Sequence, residues 1–253
     1  DNTSDLISSI SDKRLIYMWK ENGERGAARN YGSKHARGQY INFIDSDDLI
    51  YPNHLEVAKE FILTNQNPEV FHLGYDVRGV DGELIRKCSS KMDINNKIIS
   101  GNILSCNGVF IRKDVALSNQ FSENRILSSI EDWELWLRLA FKFKFHSSPE
   151  VTSTVVQHES RSVMDIDVDR IKGKMDAFIA VLNNVNYFKL SSKASMSKTI
   201  ASANTYASLH LAIANADRLD ILSYLMRGLQ HNPLEIFTRR FLVIIYLMLR
   251  IKK

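Results

Sequence analysis

"INFIDSDDLIYPNHLE", residues 41–56, begins as a core strand and turns abruptly acidic. Ile41, Phe43 and Ile44 supply the apolar part, and Asp45, Asp47 and Asp48 follow within four positions. Carboxylates this crowded repel one another and resist desolvation. A cation, or a ligand carrying one, would stabilise them. Open α/β sheets bind ligands beyond the carboxyl ends of their strands, which is where these acids stand.

The flanking sequence supports such a sheet. Asn2 to Ile10 has the pattern of a short helix, and "RLIYMW" (14–19) that of a strand. "ENGERGAARNYGSKHARG" carries glycines at 23, 26, 32 and 38, with a helix expected from about Gly26 to Ala36. Past the acidic turn, Pro52 suits a first helical turn, and Leu55, Ala58, Phe61 and Ile62 form a helical stripe. Strand and helix in alternation predict an α/β layered domain with a mainly parallel sheet.

Further on, "VFHLGYDVRG", the Asp81-Gly82 turn and "LIRK" predict an antiparallel hairpin. "CNGVFIRKDVAL" predicts strand into helix, and "VTSTVVQHE" another strand. "EDWELWLRLAF" is the clearest helix: Trp133, Trp136, Leu137 and Ala140 share a face, and Glu134 meets Arg138 at i, i+4. Beyond Asp165 only helical patterns remain. A boundary near Met164 to Asp169 would divide the chain into a layered domain, 1–165, and a helical region, 166–253.

The 253 residues are 44% hydrophobic and 25% charged, ordinary for a globular chain. The net charge of +4 is concentrated in Arg239, Arg240, Arg250, Lys252 and Lys253, so the remainder is close to neutral. That distribution argues against a nucleic-acid footprint and for a local basic tail. Cys88 and Cys106 form no disulfide framework or metal pair, and a reducing, cytoplasmic compartment is the expectation. Phe241 to Leu249 is apolar between basic clusters, too short to span a bilayer but suited to lying on an anionic inner membrane face.

Taken alone, the acidic cluster leaves three readings. It suits a surface turn, because Asp-rich turns are common. Asp45, Asp47 and Glu56 fall at the first, third and twelfth places of an EF-hand, but Leu49 and Ile50 occupy the places needing an oxygen ligand and a glycine, so that loop fails. A D-x-D site would hold a divalent ion with coordination places left for phosphate. Glu131-Asp132 is similarly open between complementing a helix dipole and supplying a general base. Arg29 could equally support its loop through a salt bridge.

The run from Asn22 to Glu56 resembles the nucleotide-sugar half of inverting family 2 glycosyltransferases, which have the GT-A fold, a Rossmann-like layered domain with a mixed sheet. The matching positions are Asn22, Gly23, Ala28, Arg29, Asn30, Gly32, Ala36, Gly38, Tyr40, Ile41, Asp45, Asp47, Asp48 and Pro52. The resemblance implies that Asp45 and Ser46 meet the nucleotide, that Asp47 holds Mn²⁺ or Mg²⁺ against the diphosphate, and that Arg29 and Asn30 lie beside the nucleotide. "EDWELWLRL" resembles the family's base helix, which implies Asp132 as the base and Glu131 as a neighbour shaping the acceptor site. It further implies His158 as a second metal ligand, Arg161 and Ser162 near the phosphates, and Asn107 at the donor-sugar or acceptor pocket. "DNTSDLI" resembles the segment just after the family's D-D-G-S run. About the first quarter of the catalytic domain is therefore expected to lie outside this sequence, with weak nucleotide binding as a result.

The expected function is metal-dependent, inverting transfer of a sugar from a nucleotide donor, UDP-linked, to a hydroxyl of a surface polysaccharide or lipid-linked glycan. The first rival is a sugar-nucleotide pyrophosphorylase, which needs no alcohol base and whose glycine-rich signature loop does not occur in this sequence. The second is a non-catalytic carbohydrate- or partner-binding module.

Overall fold

The computed structural model describes residues 2–89, 93–158, 167–184 and 192–250. In chain order the elements are α1 (Thr3–Ser8), α2 (Glu24–His35), β1 (Tyr40–Asn42), β2 (Leu49–Ile50), α3 (His54–Thr64), β3 (Val70–Gly79) and β4 (Leu84–Cys88). They continue with α4 (Ile94–Lys97), β5 (Val109–Arg112), α5 (Lys113–Ser118), α6 (Glu131–Lys142) and β6 (Phe145–Gln157). Among the described residues four further helices follow: α7 (Val168–Leu182), α8 (Lys193–Ile213), α9 (Arg218–His231) and α10 (Arg239–Arg250).

The strands run in the order β1-β5-β3-β6-β2, with β4 also paired to β3. This corrects the expectation of a mainly parallel sheet. Among the described strands only β3 and β6 pair in parallel, and β1–β5, β3–β5, β3–β4 and β2–β6 are antiparallel. The crossover through α3 leaves β1 and β3 pointing the same way, but β5 enters antiparallel between them. Residues 14–19 also depart from expectation and form no strand. No described strand runs alongside them, Leu15, Ile16, Tyr17 and Trp19 stay exposed, and β-propensity without a ladder partner does not make a strand.

β3 is buried from Val70 to Val77 because β5 and β6 flank it and both sheet faces are covered. On one face Phe71 stacks on Phe110 and on Phe61 of α3, at 5.0 and 4.8 Å between centroids. The other face carries the main core, which Val70, Val109 and Ile111 share with α6. Trp133, Trp136, Leu137 and Ala140 are buried as their spacing predicts, but so are Leu135 and Leu139. α6 is a central helix, covered from behind by α7 and α8, and Trp133 packs on Phe178 with centroids 4.7 Å apart.

Strands give way to helices between Gln157 and Val168. The core does not stop there. One cluster joins Ile41, Trp136 and Phe145 to Met175, Ile200, Leu211 and Ile244. The apolar run that forms α10 does not depend on a membrane for its burial. It turns Ile244 and the partly buried Phe241, Ile245 and Met248 onto this core, and leaves Leu242, Tyr246 and Leu249 outward.

Gly108, which opens β5, lies so close to β3 that an added Cβ would sit 2.6 Å from the Leu73 carbonyl oxygen and 2.7 Å from His72 Nε2. Neither neighbour can yield, since one is backbone and the other a fully buried ring. Gly108→Ala should therefore lower stability by about 1–3 kcal/mol, read as a fall in urea midpoint at unchanged slope.

Candidate active site

The acidic turn follows β1 directly, so the strand aims it at the sheet's carboxyl edge. Its shape is fixed from three sides. The Asp48 backbone N–H donates to the Asp45 carbonyl oxygen at 3.1 Å. Asp48 is buried, and its two carboxylate oxygens accept from the Val156 N–H of β6 at 3.0 Å and from Asn107 Nδ2 at 2.9 Å. Asn107 Oδ1 in turn accepts from the Asp45 N–H at 3.2 Å. His54 fixes the turn's base, with Nδ1 2.9 Å from Thr152 Oγ1 and Nε2 3.1 Å from Asn42 Oδ1.

The carboxylate oxygens of Asp45, Asp47 and Asp48 come within 4.8 Å of one another. Asp47 is the outermost of the three, and its Oδ2 lies 3.1 Å from His158 Nε2. The two residues singled out as metal ligands, over a hundred positions apart in sequence, are thus side by side. Hard carboxylate oxygens with one imidazole fit a divalent ion such as Mn²⁺ or Mg²⁺. Asp47 and His158 would hold it, because Asp48 is occupied by its hydrogen bonds and Asp45 by an arginine.

That arginine is Arg29 of α2. Its guanidinium donates from Nη2 to Asp45 at 2.6 Å and from Nη1 to Glu131 at 2.9 Å, with the Phe121 ring beneath it at 5.2 Å. Arg25, one helical turn earlier, reaches the same Glu131 oxygen at 3.6 Å. One cation therefore joins the acidic turn to the start of α6.

Asp132 follows Glu131 and has its own hydrogen-bond partners. Asn102 Nδ2 donates to its Oδ2 at 2.9 Å, and the Trp133 N–H donates to its Oδ1 at 2.7 Å. Burial, and secondly the charge of Glu131, push the Asp132 carboxyl up to about 6, against the pull of Arg29 and of those donors. Asp45, Asp48, Glu131 and Asp132 line one cleft of about 190 Å³ together with Arg25, Arg29 and Arg86 of β4. Asp132 also borders a second pocket of about 270 Å³.

Other predicted residues have different placements. Asn30 is buried and holds the chain at Phe121, donating from Nδ2 to that residue's carbonyl oxygen at 3.0 Å and accepting its N–H at Oδ1, 2.9 Å away. It is not among the cleft's lining residues. Asn107 is fully buried behind the acidic turn and positions Asp45 and Asp48. Ser46 is exposed on the turn. Arg161 and Ser162 lie outside the described residues. Sequence reasoning missed Arg25, whose signal is its i, i+4 spacing to Arg29, and also Asn102 and Arg86, which carry no local signal.

Known proteins resemble this chain in sequence and in fold. The family model described as "Glycosyl transferase family 2" matches residues 1–118, the span holding α2 and the acidic turn. Residues 1–118 belong to that family. Asp132 and Glu131 lie just beyond the span matched to family 2. An "uncharacterized glycosyltransferase" of Rickettsia felis is 34% identical over 151 residues, covering 56% of this chain and 24% of that protein. The Escherichia coli "UDP-Glc:alpha-D-GlcNAc-diphosphoundecaprenol beta-1,3-glucosyltransferase WfgD" is 30% identical over 141 residues, covering 55% and 53%. The chain thus spans about a quarter to a half of these relatives. The crystal structure of S. aureus TarS 1–349 superposes with a TM-score of 0.58 at 16% identity, covering 97% of this chain and 78% of that one. The fold is the GT-A fold, with a C-terminal set of helices.

Breaking the central ion pair should be expensive, because Asp45 and the almost fully buried Glu131 would lose their cation. Arg29→Gln is expected to destabilise the protein by about 3–5 kcal/mol in chemical denaturation. Arg14→Gln, removing the exposed Arg14–Asp12 pair, should change little.

Proposed function

We propose that this protein is an inverting glycosyltransferase that moves a sugar from a nucleotide diphosphate donor, UDP-linked, to a hydroxyl of a surface polysaccharide or lipid-linked glycan. The observation that carries the reading is the single cleft that Asp132 shares with the acidic turn of a family 2 segment. WfgD's printed name, with its UDP-linked donor and lipid diphosphate acceptor, supports the choice of substrates.

An alcohol is a weak nucleophile until its proton is removed. Asp132 takes that proton as the acceptor oxygen attacks the anomeric carbon. The new C–O bond forms opposite the breaking bond to the diphosphate, the configuration inverts, and UDP leaves. Ionised Asp132 is the active form, and its raised pKa brings its basicity towards the working pH. Asn102 orients the carboxylate, and Glu131, held by Arg29 and Arg25, keeps the helix start in register with the acidic turn. A divalent ion on Asp47 and His158 supplies charge neutralisation for the departing diphosphate when bound. Arg86 and Arg25 supply cationic character on the cleft wall.

The outward side of α10 supports attachment to an anionic membrane surface. Leu242, Tyr246 and Leu249 are exposed there, with Phe237 just before the helix and Arg239 and Arg250 at its ends. No helix among the described residues is long and apolar enough to cross a membrane.

Asp132→Asn should lower sugar transfer about 10²- to 10⁴-fold while UDP binding persists. In the wild type kcat/KM should rise with pH through about 6, the value to which the Asp132 carboxyl is raised. For stability the sign is opposite. The folded-state value lies above the ordinary aspartate value of 3.8, so ionising Asp132 between these limits costs folding energy. The Asn variant should accordingly melt higher than the wild type above pH 6 while losing activity. Release of UTP rather than UDP from a UDP-sugar would refute the assignment. Leu242→Ser with Leu249→Ser should release the protein from phosphatidylglycerol vesicles on sedimentation, and unchanged sedimentation would refute attachment.

A further inference from the structure

The second pocket at Asp132 belongs to no function assigned so far, and its walls come from both halves of the chain. Gly101, Asn102, Ser129, Ile130, Asp132 and Trp133 line one side, and Tyr206 of α8 and Arg240 of α10 line the other. The pocket lies on the Asn102 side of Asp132, whereas the acidic turn and Arg29 line the cleft. A group seated there would approach the base from outside the nucleotide cleft.

Arg240 gives this pocket its chemical character. Its guanidinium donates to the Ser202 carbonyl oxygen, Ser202 Oγ and Thr205 Oγ1, each at 3.0 Å, and to the Ser100 carbonyl oxygen at 3.1 Å. Every one of these partners is neutral. No carboxylate forms a salt bridge with Arg240 among the described residues, although the protein pairs Arg14, Arg25, Arg29, Arg78, Arg112, Arg138 and Arg227 with acids. Glu235 acts on this guanidinium only across Thr205, whose Oγ1 donates to that carboxylate at 3.3 Å, and a half-buried guanidinium bonded directly to carbonyl and hydroxyl oxygens alone still favours an anion in its pocket.

Tyr206 stands beside it. Its ring packs 6.2 Å from that of Trp133, and its hydroxyl has no hydrogen-bond partner among the described residues. A spare phenolic hydroxyl, on a ring that also packs 4.2 Å from His210, next to a fixed guanidinium suits a polyol or sugar carrying an acidic substituent.

We infer that this pocket is the acceptor subsite and that it takes an anionic acceptor, with Arg240 holding a phosphate or carboxylate close to the hydroxyl presented to Asp132. The inference rests on the transferase reading but adds the acceptor's charge and the part of the chain that selects it. The C-terminal helices would then choose the acceptor while the family 2 segment holds the donor.

Calorimetric titration of the full chain with glycerol 3-phosphate, glucuronate and glycerol at millimolar concentrations tests this directly. The two anions should bind about tenfold or more tightly than glycerol, and Arg240→Gln should remove that preference. Arg240→Lys should retain part of it. Whichever anion binds more tightly identifies the acidic group as phosphate or carboxylate. Tyr206→Phe, which deletes only the hydroxyl, should weaken binding of both anions and so serves should Arg240→Gln fold poorly. Equal binding of glycerol and the anions, no binding of either anion, an unchanged preference in folded Arg240→Gln, or unchanged anion affinity in Tyr206→Phe would overturn the inference. UDP titrated with Mn²⁺ in parallel keeps the outcomes apart. UDP binding, even weak, with no anion preference defeats this inference alone, whereas release of UTP rather than UDP from a UDP-sugar defeats the transferase reading.

Discussion

Arg29 holds the candidate site together. One guanidinium, largely withdrawn from water, contacts a carboxylate of the acidic turn and a carboxylate at the start of α6. Those two elements come from different parts of the chain and do not pair as strands. Without the shared cation, Asp45 and Glu131 would face each other's field in a poorly solvated cleft, and mutual repulsion would push the turn and the helix apart. The ion pair therefore sets the separation between the place for a diphosphate and the carboxylate that would act as base. It also shapes the electrostatics of Asp132, because Glu131 raises and Arg29 lowers that residue's proton affinity.

Around that pair, rigidity comes from side chains that carry no reactive role. Asp48 and Asn107 fix the turn from beneath with buried hydrogen bonds, and Trp133 and Trp136 fix α6 from behind. Asp47 and His158 are left partly accessible at the rim, where a ligand could be exchanged. Acids that look alike in sequence thus differ in duty. Asp48 is committed to structure, Asp45 to Arg29, Asp47 to the outer face and Asp132 to the cleft.

Much of this is legible in the sequence, and the failures have physical causes. The helix at 131–142 is readable because its apolar spacing matches one period, and the acidic turn because strand and carboxylates abut. Asp47 and His158 can be linked only through family spacing, yet they meet at hydrogen-bond distance. The antiparallel entry of β5 is not legible, since alternating elements say nothing about which strand inserts where. The hydrogen bonds of Asn30 to Phe121 and of Asn107 to the acidic turn are not legible either, because motif position does not reveal whether a side chain faces a ligand or the chain behind it. Residues 14–19 have strand composition without a strand partner, a tertiary fact that no local pattern records.

The continuity of the core across the strand-to-helix transition has an evolutionary consequence. Tyr206 and Arg240 stand on helices that are themselves wedged against the support of α6, Arg240 one turn before the core residue Ile244. A lineage shifting its taste in partner molecules through these helices has little freedom to slide or tilt them, because any displacement reaches the tryptophans that carry Asp132. Diversification is therefore channelled into side-chain exchange at the few positions that face the hollow, and away from wholesale replacement of the C-terminal third.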